Sequence, residues 1–182
     1  MKKEVTIVGA GLVGSLCSVF MSKKGYKVNV YERRKDLRSE IITAGKSINL
    51  ALSKRGWTAL RQAGVEDQVK KIAIPVHKRV MHDENGKLSD QPYGNEGQCI
   101  YSVSRVLMNV LMMDLAEKNG ANLFFNEICK VVDFENTTVT FENTNTKNHQ
   151  KIKSDFIIGS DGTFSEVRKQ MIKKYNHQYS YH

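Results

Sequence analysis

The glycine pattern near the start of the chain strongly limits the folds open to it. Gly9, Gly11 and Gly14 have the GxGxxG spacing and directly follow the apolar run at residues 5–8. In dinucleotide-binding folds the first glycine permits a tight turn, the second lets the backbone approach a pyrophosphate, and the third lets a helix pack closely. Glu32 follows at about the 20-residue distance where an acid can accept hydrogen bonds from ribose hydroxyls. This order of residues predicts a nucleotide-binding βαβ unit.

Alternating strands and helices continue along the chain. Residues 12–24 predict a helix whose N-terminal amides and dipole would face the phosphates, and residues 27–31 predict the next strand. Strand-only segments between residues 130 and 153 predict a small antiparallel sheet, and residues 155–158 predict a further buried strand. The pattern therefore indicates a three-layer, Rossmann-like α/β fold with a central parallel sheet and a small antiparallel β-sheet.

A hairpin is predicted at residues 76–91, because Asn85-Gly86 is a strong turn signal. With a two-residue turn, Arg79 would pair with Pro92 and face away from Tyr93. A one-residue bulge near Pro92, which cannot donate to the ladder, would instead place Arg79 opposite Tyr93. A guanidinium and a phenol together make a good carboxylate clamp, although polar residues on a hairpin usually face water.

Two further polar residues lie where a nucleotide could bind. Asp161 directly follows an apolar strand and precedes Gly162, so it could face a ribose or phosphate, or it could cap the following helix. Arg105 lies near the start of a helix that begins at Ser102 or Ser104. A cation at that end opposes the helix dipole and needs an anionic partner.

Composition restricts the remaining classes. The 28 basic and 19 acidic residues give a net charge of +9, which permits an anionic partner, including nucleic acid. The lysines are scattered in pairs, however, as is typical of solvated faces. The three cysteines, Cys17, Cys99 and Cys129, form no CxxC and fit a reducing cytoplasm. No apolar run is long enough to span a membrane, and the five histidines show no metal-ligand or catalytic spacing.

Longer motifs resemble known proteins. The chain resembles the single-component flavoprotein aromatic hydroxylases and, within them, the kynurenine 3-monooxygenase family. The first resemblance is carried by GAGLVGSL at 9–16, YERR at 31–34 and GSDGTFSEVR at 159–168, and the second by SINLALS at 47–53, QPYG at 91–94 and YSVSR at 101–105.

The resemblance implies FAD as a tightly bound cofactor, with NADPH and oxygen as co-substrates for 3-hydroxylation of L-kynurenine, in the pathway from tryptophan to NAD. No catalytic side chain and no metal are implied, since the flavin carries the chemistry. Arg79 and Tyr93 would hold the substrate carboxylate, and Cys129 would act through its backbone. The implied cofactor-binding residues are Gly9, Gly11, Val13, Gly14, Glu32, Arg33, Arg34, Ala51, Arg105, Cys129 and Asp161.

The chain also departs from that family. Lys46 replaces an arginine, Val106 and Val110 replace polar residues, and the second flavin motif, the sheet over the substrate and the C-terminal helices are absent. We therefore expect an incomplete fold: an FAD-binding domain at 1–175, containing the start of the substrate hairpin at 76–93, and an unstructured tail at 176–182. Such a piece would be inactive and prone to self-association.

Other readings of the residues stay open. One is a different FAD-dependent aromatic hydroxylase, and another is an NAD(P)-dependent oxidoreductase with the same glycine pattern. Net charge alone would support a basic nucleic-acid-binding module. We find no lysines interleaved with aromatic residues on one strand, so we expect neither a nucleic-acid partner nor a membrane segment.

Overall fold

The computed structural model describes residues 2–39 and 48–176. Lys46, Ser47 and residues 177–182 of the expected tail lie outside them. The chain divides into two compact units, one of residues 1–41 and 109–182 and the other of residues 42–108, and each is described by itself.

The elements are numbered along the whole chain. In order they are β1 (Glu4–Val8), α1 (Leu12–Lys23), β2 (Lys27–Glu32), β3 (Asn49–Leu52), α2 (Lys54–Gln62), α3 (Glu66–Lys70), β4 (Ile74–Val76), β5 (Lys78–His82), β6 (Leu88–Pro92), β7 (Ile100–Ser104), α4 (Arg105–Lys118), β8 (Asn122–Phe125), β9 (Glu127–Asp133), β10 (Thr138–Asn143), β11 (His149–Lys153), β12 (Phe156–Gly159) and α5 (Glu166–Tyr175).

A parallel sheet forms the centre of the first unit, in the strand order β12-β1-β2-β8. β1 and β2 pair in parallel, with Val5 opposite Val28 and Val8 opposite Tyr31, as the βαβ pattern predicts. Val5 and Val28 are completely buried, because parallel strands are covered on both faces. The predicted parallel pairing is confirmed.

The predicted small antiparallel sheet is also present, in the order β11-β10-β9. It packs on the parallel sheet through aromatic rings: Tyr31 of β2 stacks on Phe141 of β10 with ring centroids 4.1 Å apart. Within the parallel sheet, Tyr31 also stacks on Phe124 of the neighbouring strand β8 at 4.8 Å. Phe141 is fully buried. The register of β9 and β10 shifts at Thr140/Phe141, where a bulge interrupts the ladder.

The strand predicted to be buried at residues 155–158 is an edge strand of the described sheet. Phe156 of β12 is 43% exposed and packs edge-on against Tyr26. The apolar run FII suggested burial on both faces, but only β1 pairs with this strand in the part of the chain that the structure describes.

A three-stranded antiparallel sheet, in the order β3-β7-β4, organises the second unit. Of the two predicted helix starts, the structure has Ser104: Ser102 lies inside β7, and α4 begins at Arg105. Pro75 lies in edge strand β4 opposite Tyr101, and an edge position tolerates a missing N–H.

The hairpin β5–β6 differs in register from both predicted alternatives. Arg79 pairs with Gln91, not with Pro92 or Tyr93. The turn from Asp83 is closed by the N–H of Gly86, which has φ +77°, and a three-residue loop of this kind shifts the pairing by one residue. The N–H of Tyr93 donates to the carbonyl of His77, so Pro92 occupies a non-hydrogen-bonded position.

The aromatic stack between the two sheets should dominate the stability of the first unit. Replacing Phe141 by alanine removes a fully buried ring and should lower the free energy of unfolding by about 3–5 kcal/mol, measured by urea denaturation. Phe164→Ala is the matched control, because that ring is 85% exposed and its removal should change stability little. Equal losses in both variants would contradict the assignment of the core.

Candidate nucleotide-binding site

Two loops meet at the carboxyl ends of β1 and β12. The Ser160 hydroxyl donates to the carbonyls of Val8 and Gly9, each at 2.9 Å. Gly9 has φ +102°, and a Cβ there would lie 2.6 Å from the Ser160 carbonyl oxygen. A Cβ on Gly14 would lie 1.9 Å from the Gly9 carbonyl oxygen. The first and third glycines are therefore required by backbone packing.

Gly11 differs from the other two glycines. Its φ is −70°, which any residue adopts, and a Cβ there would meet no heavy atom of the described residues within 4 Å. The fold therefore does not require glycine at this position. The residue also precedes α1 as its N-cap, with no side-chain capping bond and no acid in the first turn. Accessible backbone at an uncapped helix start fits an anionic pyrophosphate.

Glu32 ties the end of β2 to the glycine loop. One carboxylate oxygen accepts the N–H of Ala10 at 2.9 Å, and the other accepts the N–H and Nε of Arg34 at 3.0 and 2.8 Å. Burial opposes ionisation of Glu32 most strongly, but the bonds from Arg34 and Ala10 together lower the carboxyl pKa. A carboxylate offers about four acceptor sites, so a ribose hydroxyl could still bind.

A cavity of about 240 Å³ opens beside Glu32 within the first unit. Its volume is below the roughly 300–1,000 Å³ of sites for whole drug-sized ligands, so it suits one part of a dinucleotide. β2 and the following loop supply its charged groups, and α4 and β8 supply further lining residues. The lining residues are Ala10, Glu32, Arg34, Lys35, Leu37, Asn109, Met113 and Phe125.

Of these lining residues, only Glu32 and Arg34 were predicted to bind the cofactor. Lys35 and Leu37 of the loop after β2 were not predicted, and residues 109, 113 and 125 join the cavity through tertiary packing. Their spacing along the chain carries no signal of that contact. Arg33, a predicted partner of the nucleotide, is exposed and does not line the cavity.

Asp161 caps α5. Its carboxylate accepts the Ser165 hydroxyl at 2.5 Å and the N–H groups of Glu166 and Val167 at 2.7 and 3.2 Å. The capping alternative weighed from the sequence is therefore realised. The same bonds hold the loop next to Ser160, which contacts the glycine loop.

Cys129 lies in β9 among the apolar residues between the two sheets. Burial and the nearby charges of Asp161 and Glu166 raise the thiol pKa to about 12. The thiol therefore stays protonated and unreactive at neutral pH. Cys129 would therefore contact a nucleotide through its backbone, as the family resemblance implies.

The remaining predicted residues are arranged as follows. Val13 lies in the first turn of α1 and is 73% exposed. Ala51 of β3, Arg79 of β5, Tyr93 after β6 and Arg105 at the start of α4 belong to the second unit. Arg79 donates from Nε to the side-chain oxygen of Gln91 at 2.7 Å. Among the described residues, no helix is long and apolar enough to cross a bilayer.

Protonating Glu32 should loosen the glycine loop. A lowered pKa means that the ionised form stabilises the fold, fully above the ordinary value of 4.5 and progressively less as pH falls through the folded-state pKa. Glu32→Gln should therefore lower the free energy of unfolding by about 1.5 kcal/mol at pH 7, and less at pH 3, in urea titrations. Glu96→Gln, at an exposed position, serves as control. A pH-independent difference would argue against this role.

Comparison with known proteins agrees with this geometry. The FAD binding domain family matches residues 2–180. A kynurenine 3-monooxygenase of Christiangramia forsetii is 44% identical over 100% of this chain and 40% of its own length. The enzyme of the same name from Anopheles gambiae is 41% identical over 97% of this chain and 37% of its own length. The chain thus spans about 40% of the length of these curated relatives.

Solved structures share the fold at lower identity. The flavin-dependent monooxygenase PieE, in complex with FAD and substrate, aligns with a TM-score of 0.78 and 21% identity over 94% of this chain and 32% of its own. A 2-methyl-3-hydroxypyridine-5-carboxylic acid oxygenase aligns with a TM-score of 0.73 and 21% identity, over 94% of this chain and 42% of its own. With a family match across nearly its whole length, the chain belongs to the FAD binding domain family.

Proposed function

We propose that this chain is the FAD-binding part of a kynurenine 3-monooxygenase, which uses NADPH and O2 to hydroxylate L-kynurenine. The observation that carries the proposal is the 44% identity to a relative of that name over the entire chain. The proposal is also supported by the glycine loop, because Gly11, which the packing of the described residues does not require, lies at the start of α1 where no side chain caps the helix. A cytoplasmic location is proposed with it, because the three cysteines are free thiols.

In this proposal the first unit binds the adenosine diphosphate half of FAD. The residues present fit that group: the backbone at Gly11 and the α1 terminus suit the pyrophosphate, and the spare acceptor site of Glu32 suits a ribose hydroxyl. Arg34 holds Glu32 ionised and brings a positive charge to the cavity wall. Bound FAD would supply the redox chemistry, and these side chains bind and orient it.

The second unit would bind the carboxylate of the amino-acid substrate. The residue opposite Tyr93 is His77, two residues from Arg79, so Arg79 and Tyr93 share a face of the hairpin as diagonal neighbours. No bulge is needed to bring them to one face. Both side chains are exposed. A guanidinium beside a phenol provides charge-assisted and neutral donors for one carboxylate.

A polypeptide of only these 182 residues is proposed to bind FAD weakly or not at all and not to oxidise NADPH. About 60% of the length of the Christiangramia forsetii relative lies outside the matched region, and the walls around the flavin ring are proposed to belong to that part. Exposed apolar side chains such as Phe164 (85%), Ile48 (76%) and Val13 (73%) should favour self-association. A monomeric, yellow, NADPH-oxidising preparation would refute this view of the isolated chain.

Gly11→Val tests the cofactor site. A branched side chain at this position has room in the fold but would obstruct the approach of a pyrophosphate, so FAD affinity should fall at least about tenfold while thermal stability stays unchanged. Affinity is best measured by flavin fluorescence in a chimera that joins this chain to the remaining sequence of the Christiangramia forsetii relative. Thr58→Val, in exposed α2, is the control. Equal FAD affinity in both variants would rule the site out.

Arg79→Ala tests the substrate clamp in the same chimera. Loss of one charge-assisted bond, worth about 1.5–3 kcal/mol, should weaken kynurenine binding by roughly 10- to 150-fold. Tyr93→Phe should cost less, and FAD content should not change in either. Lys78→Ala is the matched control, because Lys78 lies on the opposite face and pairs with Asp90. If Arg79→Ala lost flavin but kept its affinity for kynurenine, Arg79 would belong to the cofactor site.

A further inference from the structure

Arg38 is held by three carboxylates at the edge of the first unit. Its guanidinium donates hydrogen bonds to three side chains: from Nε and Nη2 to Asp36, from Nη1 to Asp114, and from Nη1 and Nη2 to Glu117. These contacts use all five N–H donors of an arginine. The guanidinium carbon also lies 5.6 Å from the ring centroid of Phe125. Arg38 therefore has no donor left for a phosphate or ribose, unlike an arginine that binds ligand directly.

The bonds of Arg38 join two segments that line the 240 Å³ cavity, the loop after β2 and helix α4. Asp36 lies in the loop after β2, between the lining residues Lys35 and Leu37. Asp114 and Glu117 lie on α4, next to the lining residue Met113. Phe125, beneath the guanidinium, forms a further wall. One side chain outside the cavity thus connects the loop, the helix and the strand end that enclose it.

We propose that Arg38 is a positioning residue that sets the width of this cavity and thereby the affinity of the chain for the adenosine half of FAD. The inference rests on the proposed function for the identity of the ligand, but the connection of the loop to α4 is a property of the chain alone. No part of the proposal requires Arg38 to touch the ligand.

The charges around Arg38 add an electrostatic effect to these hydrogen bonds. Three carboxylates face one guanidinium, so the cluster carries excess negative charge even when Arg38 is present. Without Arg38, Asp36 on the loop and the two acids on α4 would repel each other. Removal of the arginine should therefore push the loop away from α4 and widen the cavity. Removal of the arginine together with the two helix acids should not.

The test compares Arg38→Met with the triple variant Arg38→Met/Asp114→Asn/Glu117→Gln in the 182-residue chain. Methionine keeps apolar packing on Phe125 and removes the charge. Binding is measured by NMR titration with ADP and with FAD, and mobility by hydrogen exchange of residues 33–39 without ligand. Arg61→Ala is the control, because it breaks a comparable bidentate pair with Glu66 in the second unit.

We expect Arg38→Met to weaken ADP and FAD binding by on the order of tenfold, as loss of an outer-shell partner does elsewhere, and to speed exchange in the loop. The triple variant should recover most of both properties, and Arg61→Ala should change neither. Unchanged exchange and affinity in Arg38→Met, or a loss of thermal stability with full affinity in the folded protein, would overturn the proposal. If the parent chain binds neither ADP nor FAD, the affinity comparison is made in the chimera, where absence of FAD binding would refute the proposed function. The exchange data on the chain alone would still decide whether Arg38 fixes the loop.

Discussion

The carbonyl oxygen of Gly9 is the point on which the nucleotide-binding edge depends. It accepts the hydroxyl of Ser160 and lies so close to Gly14 that no side chain fits there. Because Ser160 is about 150 residues away in sequence, this contact adds to the pairing of β1 with β12 that joins the first and last parts of the first unit. Steric exclusion at Gly9 and Gly14 fixes the path of the backbone, and only Gly11 is left free of that constraint.

Two adjacent residues of β2 have different roles: one packs the two sheets together, and the other holds the glycine loop. Tyr31 faces the antiparallel sheet and stacks between Phe124 and Phe141. Glu32, on the opposite side of the strand, accepts the N–H of Ala10. The same strand that anchors the second layer therefore also sets the shape of the glycine loop. Consequently, damage to the aromatic stack should also disturb the placement of Glu32.

The parts of the fold that could be predicted from the sequence are those formed by residues close together in the chain. The βαβ unit was predictable because strand, glycine turn, helix and strand are adjacent in the chain and each has its own signal. β7 was missed because its partners, β3 and β4, lie roughly 30 to 50 residues earlier and its own short run resembles a helix start. The hairpin register was missed because one left-handed glycine, Gly86, lengthens the loop by one residue.

Predicting the candidate site was harder for a related reason. The glycines and Glu32 have a spacing that reveals their role, but Asn109, Met113 and Phe125 reach the cavity only after α4 and β8 pack beside β2. Asp161 shows the limit of a motif in another way. The sequence allows a ligand role and a capping role, and its carboxylate accepts two N–H groups of the first turn of α5 and the hydroxyl of Ser165. These two roles need not compete, because a loop fixed by its own capping bonds presents its backbone to a ligand without further ordering.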